Sequence, residues 1–238
     1  MSWLVWLLCL GCVGVLATVE CLYQTALTRV PARPPRPEGV ALPPLYVRLR
    51  SVSLGDAAPP RVEVVWPGSV VRVLVAITLL EWRPSEAMPE GFGLADGVAR
   101  QWSFHLRQEH GQPLRGPERL ALAIWLTRHW SGEELLIHEA EHAFLIQGLV
   151  GLRAGAEVLF GRDWARLDVS GMALLIAVSE APGGKRDPWC FPEFLRARRD
   201  RLLKQLRDAG GLSPAEAEAA LQAPLGLVER PAHWAACE

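Results

Sequence analysis

Two histidines four residues apart, in His138-Glu139-Ala140-Glu141-His142, are the first residues in this chain whose types and spacing could do chemistry. On a helix they stand one above the other and could share a zinc ion, with Glu139 as base toward a metal-bound water. A third ligand would have to come from elsewhere, and no residue marks one out. Glu141 also places a charge where such hydrolytic sites usually keep an uncharged residue. The same five residues also read as part of an ordinary helix inside a larger helical pattern, which is the reading preferred here. Glu81 closes an apolar run and could act as a general base, or stand as a solvated carboxylate at a helix end. Glu118 follows Arg115 and Pro117. Arg196, Arg198, Arg199 and Arg201 form a basic row that could meet an anion, or a solvated face balanced by Asp200 and Asp208.

The elements that must position these groups begin with a membrane-like segment. No charged residue occurs from Met1 to Val19, and the apolar run extends more mildly to Leu27 past Glu20. That is enough for a transmembrane anchor, though on the short side. A cleaved signal peptide is the rival, without a basic n-region or a clean small-x-small site. Residues 28–60 are rich in proline (PARPPRP, LPP, APP) and predict an extended, poorly packed tether. Alternation in VRLRSVSL and in RVEVVW predicts a short hairpin over 47–66.

From Ser69 to Glu238 the pattern is helical. It predicts a buried helix over VVRVLVAITLLEW, then helices over 94–106, 115–129, from Gly132 across His138 and His142, around Ala154, over 171–178 and over 192–209. Ser131-x-x-Glu134 and Ser213-Pro-x-Glu216 are capping boxes. The chain is thus expected to be all-α: an anchor over 1–27, a tether over 28–60 and a domain over 61–238.

Half of the 238 residues are hydrophobic and the formal net charge is −1, so the composition gives no long-range attraction to nucleic acid. Cys190 and Cys237 are the only cysteines outside the anchor region. They could pair if the body is extracytoplasmic, or stay as two buried thiols.

The order and spacing of these signals resemble glycosyltransferase family 51, the peptidoglycan-polymerising domain of class A penicillin-binding proteins and monofunctional transglycosylases. The likeness is carried by Ala123-Ile-Trp-Leu-Thr-Arg-His-Trp-Ser-Gly-Glu-Glu-Leu-Leu136 and continues without a gap through Gly148-Leu-Val-Gly151 and Ala154 to Gly161. Leu167, Ala173 to Pro182, Pro192-Glu193, Arg196 to Leu203, Gly211-Leu-Ser213 and Pro224-Leu225 complete it, about 120 residues in all.

The resemblance implies an all-α, lysozyme-like glycosyltransferase domain behind a single N-terminal transmembrane helix. It would lie on the periplasmic, outer face of a bacterial cytoplasmic membrane, although Arg29, Arg33 and Arg36 after the anchor point the other way by the positive-inside rule. Its ligand would be lipid II or the nascent glycan chain, with other cell-wall synthesis proteins as partners and no transpeptidase segment within the 238 residues. Glu81 would be the base, Glu118 the second carboxylate, and Gln101, Arg115, Arg198 and Arg199 would bind substrate. Mg²⁺ on the diphosphate is the one cofactor implied, and no metal ligands in the protein are assigned.

Several family positions differ here. Trp82-Arg83 replace Asp-Arg after Glu81, and only Gly97 and Gln101 keep their type in a Gly-Ser-Thr-Ile-x-Gln-Gln stretch. Arg119 occupies the second glutamate's place, one helical residue from Glu118, and Glu141 replaces an asparagine. A catalytically inactive member acting as a scaffold is therefore the alternative, with a zinc peptidase using His138, Glu139 and His142 as the third. Within the resemblance, however, those histidines fall on an ordinary helix.

Overall fold

The computed structural model describes residues 2–39, 41–55, 60–66, 68–69, 88–235 and 237. Its described residues are helical, with no strand among them. The helices are α1 (Ser2–Thr28), α2 (Pro44–Leu54), α3 (Phe92–His110), α4 (Gly116–His129), α5 (Gly132–Glu141), α6 (Leu152–Phe160), α7 (Val169–Glu180), α8 (Pro192–Asp208) and α9 (Pro214–Gln222). The chain divides into two compact units, residues 1–36 with 61–135, and residues 37–60 with 136–238. The buried helix expected over 70–82 lies outside the described residues.

In the first unit α3 and α4 pack against each other and α4 also packs on α1. Leu94, Val98, Trp102 and Leu106 recur every fourth residue and form the buried stripe of α3. Gly91 starts α3 at φ 74°, and a Cβ there would run into the Arg61 carbonyl, so glycine alone fits. In α1, Cys9–Thr28 is long and apolar enough to cross a membrane.

The second unit is built around α7, whose residues from Ser170 to Val178 are all buried. A helix that is apolar all round needs neighbours on every side, and α2, α6, α8 and α9 supply them. Asp168 caps its start by accepting from the Gly171 N–H at 2.7 Å. Cys190 and Cys237 are joined by a disulfide across 47 positions.

Two expectations differ from the structure. VRLRSVSL is helical rather than one arm of a hairpin: Pro44 opens α2 in its first turn, and Tyr46 and Leu49, three apart, form a buried face. Residues 61–66 form no strand and have no regular secondary structure. The proline-rich stretch is also fastened. The Ala32 carbonyl accepts from Trp102 Nε1 at 2.7 Å, Arg33 lies 4.9 Å over the Trp125 ring, and Arg36 pairs with Glu134. Prolines leave carbonyls and side chains free for such docking because they form no regular ladder of their own.

Candidate functional site

The second unit holds its charge in one network. Arg50, on α2, makes a two-pronged contact with Glu139: Nε donates to Oε2 at 2.7 Å and a terminal nitrogen to Oε1 at 2.6 Å. Its other terminal nitrogen donates to Ser53 Oγ at 2.6 Å and to Glu180 Oε1. Burial alone would lower the Arg50 pKa, but Glu139 and then Glu180 outweigh it and raise it, so the guanidinium stays protonated. The Tyr46 hydroxyl, donating to Glu139 at 3.3 Å, is pushed well above its usual pKa by burial and then by the Glu139 charge.

Glu180, at the end of α7, joins this network to an open cavity of about 170 Å³ lined by Ser53, Glu180, Arg198, Arg201, Leu202 and Gln205. Arg198 lies 3.7 Å from Glu180 Oε2 and donates to the Glu180 carbonyl at 3.4 Å. Both charges of Glu180 and Arg198 are thus partly answered within the wall. Among the described residues Arg201 has no ion-pair partner, so the cavity keeps a surplus cation able to meet an anionic oxygen.

Arg199 behaves differently from its neighbour. Its side chain is fully buried and donates to the carbonyls of Ala223 and Leu221 at 2.8 and 3.0 Å, to Ser170 Oγ at 3.2 Å and to Asp200. The expected contact with a diphosphate is therefore replaced by one that ties α8 to α7 and to the end of α9. One residue along a helix is a rotation of about 100°, which suffices to send one arginine to the cavity and the next into the core.

In the first unit Glu118 sits in the first turn of α4 and accepts from the Arg115 N–H at 2.7 Å. It is half-buried and serves as a helix cap. Arg119, at the family glutamate's position, lies 3.2 Å from Asp96 of α3. Arg115 is exposed and Gln101 is half-buried on α3. Glu81 lies outside the described residues.

His138 is buried and its ring stacks on that of His142 at 4.1 Å, while the two oxygens of Glu139 are held by Arg50. The helix ends at Glu141, one residue before His142. Among the described residues no group of three His, Cys, Asp or Glu side chains is placed to hold a metal ion. For Mg²⁺ the described protein therefore supplies no ready donor set, and the oxygens would have to come chiefly from a bound diphosphate.

Arg201 stands in the basic row read from the sequence and Glu139 was read there only as the base of a metal site; Arg50, Ser53, Glu180 and Gln205 were not found from sequence. The one visible signal of Arg50 was its place inside an apparently alternating stretch, which pointed to a strand.

Residues 104–207 match the family model described as Transglycosylase. Penicillin-binding protein 1F of Bacillus subtilis is 32% identical over 114 residues, covering 48% of this chain and 16% of that protein. Penicillin-binding protein 1A of Streptococcus pneumoniae is 28% identical over 141 residues, covering 59% and 20%, respectively. A 2.6 Å crystal structure of penicillin-binding protein 1A from Haemophilus influenzae is 26% identical, covers 44% of this chain and 16% of that one, and gives a TM-score of 0.39. The matched part of the chain thus spans about a fifth or less of the length of these relatives. Over residues 104–207 the chain is similar to the transglycosylase family, glycosyltransferase family 51.

Proposed function

We propose that this protein extends peptidoglycan glycan strands from a lipid-diphosphate donor, lipid II or the growing chain, at the outer face of a bacterial cytoplasmic membrane. The observation that carries the reading is the transglycosylase match, which takes in every residue lining the cavity except Ser53. In the reaction Glu81 takes the proton of an acceptor hydroxyl, whose oxygen then bonds to the donor's anomeric carbon as the bond to diphosphate oxygen breaks. Arg198 and Arg201 meet the charge gathering on the departing diphosphate, and Arg115 and Gln101 help hold the substrate. Mg²⁺ would supply further neutralisation, carried on the diphosphate itself. Arg199 is assigned to the fold.

Two observations support the location. A disulfide is usual for oxidising compartments. Arg33 and Arg36, which count toward a cytoplasmic body, are engaged by Trp125 and Glu134 and so have roles in packing.

A second reading, a scaffold without turnover that partners the cell-wall machinery, is favoured by Glu118 being occupied as a cap and by Arg119 standing in a glutamate's place. The test is incubation of the full-length protein in detergent with labelled lipid II and Mg²⁺, read as polymer on a gel. Polymer is expected, with the double variant Arg198→Gln, Arg201→Gln slower by at least tenfold. No polymer together with retained lipid II would turn the assignment to the scaffold. No polymer and no binding would overturn both readings.

A further inference from the structure

Glu180 stands between two arginines of the second unit and is held by them unequally. Its Oε1 accepts a hydrogen bond from Arg50, whereas its Oε2 lies 3.7 Å from Arg198, past hydrogen-bond length. The Arg50 and Glu139 side chains are each 13% exposed, so water weakens their contact little. Glu180 and Arg198 are 27% and 29% exposed, at the wall of the cavity. Glu139 aims Arg50: it takes Nε and one terminal nitrogen at 2.7 and 2.6 Å, which fixes the plane of the guanidinium and turns the other terminal nitrogen to Glu180.

Without Arg50, Glu180 would keep Arg198 as its one ion-pair partner among the described residues and would close on it. The cavity would then face an added anion with Arg201 alone. With Arg50 in place both arginines are available. They are three apart on α8 and share a helix face with Cβ atoms roughly 5–6 Å apart, near enough for both to meet one diphosphate. The net charge does not decide this. Three arginines against Glu139 and Glu180 leave one surplus positive charge, and taking away Arg50 together with Glu139 leaves the same surplus. What changes is where the charge of Glu180 is spent.

We propose that Arg50, aimed by Glu139, sets the anion affinity of the cavity on α8 by holding Glu180 off Arg198, so that Arg198 and Arg201 together receive the diphosphate of the substrate. Arg50 does not line the cavity and acts through Glu180, as a positioning residue. Glu180 has a second effect. Its carboxylate stays in the wall of an anion site and opposes binding by its charge, which favours release of the diphosphate after its bond to the sugar has broken. This inference rests on the cavity being the diphosphate site of the proposed function.

The test measures binding of labelled inorganic diphosphate to the full chain in a neutral detergent by equilibrium dialysis, each variant being checked for a cooperative melt. Arg198→Gln with Arg201→Gln should abolish the binding. Arg50→Gln with Glu139→Gln should weaken it at least about tenfold. Adding Glu180→Gln to that pair should restore the wild-type affinity or exceed it, a recovery that damage to the fold would not give. Glu180→Gln alone, at a part-exposed position, should tighten binding several-fold and reads the same charge if the double variant does not fold. Wild-type affinity in Arg50→Gln with Glu139→Gln, no recovery in the triple variant, or unchanged or weaker binding by Glu180→Gln would each overturn the role of Arg50 and leave the cavity assignment standing. Diphosphate binding that is absent from the wild type, or untouched by Arg198→Gln with Arg201→Gln, would overturn the cavity assignment itself and this inference with it.

Discussion

The two units differ in how they hold their most enclosed arginines, although each also has the other's kind of contact, Arg36 on Glu134 in the first and Arg153 over Trp164 in the second. The second unit buries guanidinium groups and satisfies them with carboxylates and carbonyls: Arg50 on Glu139 and Glu180, Arg199 on Asp200, Leu221 and Ala223. The first stacks them near the surface on rings, Arg33 on Trp125 and Arg128 on Tyr23 and Trp66. A buried charge cannot be removed cheaply because its partners are left desolvated, whereas a stacked charge at the surface is replaced by water. Mutations that look alike should therefore act on stability in one unit and mainly on surface contacts in the other.

The largest effect is expected at Arg199. Arg199→Met should cost about 3–5 kcal/mol in urea unfolding, since two carbonyls and Asp200 lose their donor in the interior. The neighbouring Arg198→Gln should cost less than about 1 kcal/mol, because that side chain is part-exposed at a cavity. Equal costs for the two would break the contrast. Next comes the disulfide. Cys190→Ser with Cys237→Ser frees a loop of 47 positions and should cost up to about 4 kcal/mol. An unchanged denaturation midpoint would show that the C-terminal segment is not held by it.

Glu139→Gln should follow at about 1–3 kcal/mol, with Glu180 still answering part of the Arg50 charge. Thermal melting of this variant beside Glu139→Ala reads it, and a neutral result for both would remove the network from the account of stability. The smallest effect belongs to the first unit. Glu134 has a lowered pKa because Arg36 bonds to its carboxylate. Its folded pKa is thus below its unfolded one, so its contribution is complete above the ordinary carboxylate range and is lost as pH falls through the depressed value. Glu134→Gln should flatten the acid side of the stability profile slightly, and added salt should do the same to the native protein. A variant whose loss of stability grows toward low pH would contradict that sign.

Much of the scaffold was legible because its signals are local. Ser213-Pro-x-Glu216 and Ser131-x-x-Glu134 both form the caps their spacing announced. The apolar run over 171–178 announced a helix, and its burial on every side fits that composition. What was not legible depends on partners distant in sequence. The alternation around Val47 fits a strand or a helix, and burial of Tyr46 and Leu49 decides it. Arg198 and Arg199 look identical in a row of arginines, and only the positions of Glu180 and Ala223 tell the cavity from the core. Glu118 has the type of a catalytic carboxylate, but its place three residues past Arg115 makes it a cap.

The central claim is that a glycan polymerase works here with Glu81 as its base. It is tested most directly by assaying polymer formation from labelled lipid II by the wild type and by Glu81→Gln, each in full-length form with matched disulfide content and melting temperature. The account predicts polymer from the wild type and at least a hundredfold less from Glu81→Gln. Equal polymer from both would contradict the assignment of the base.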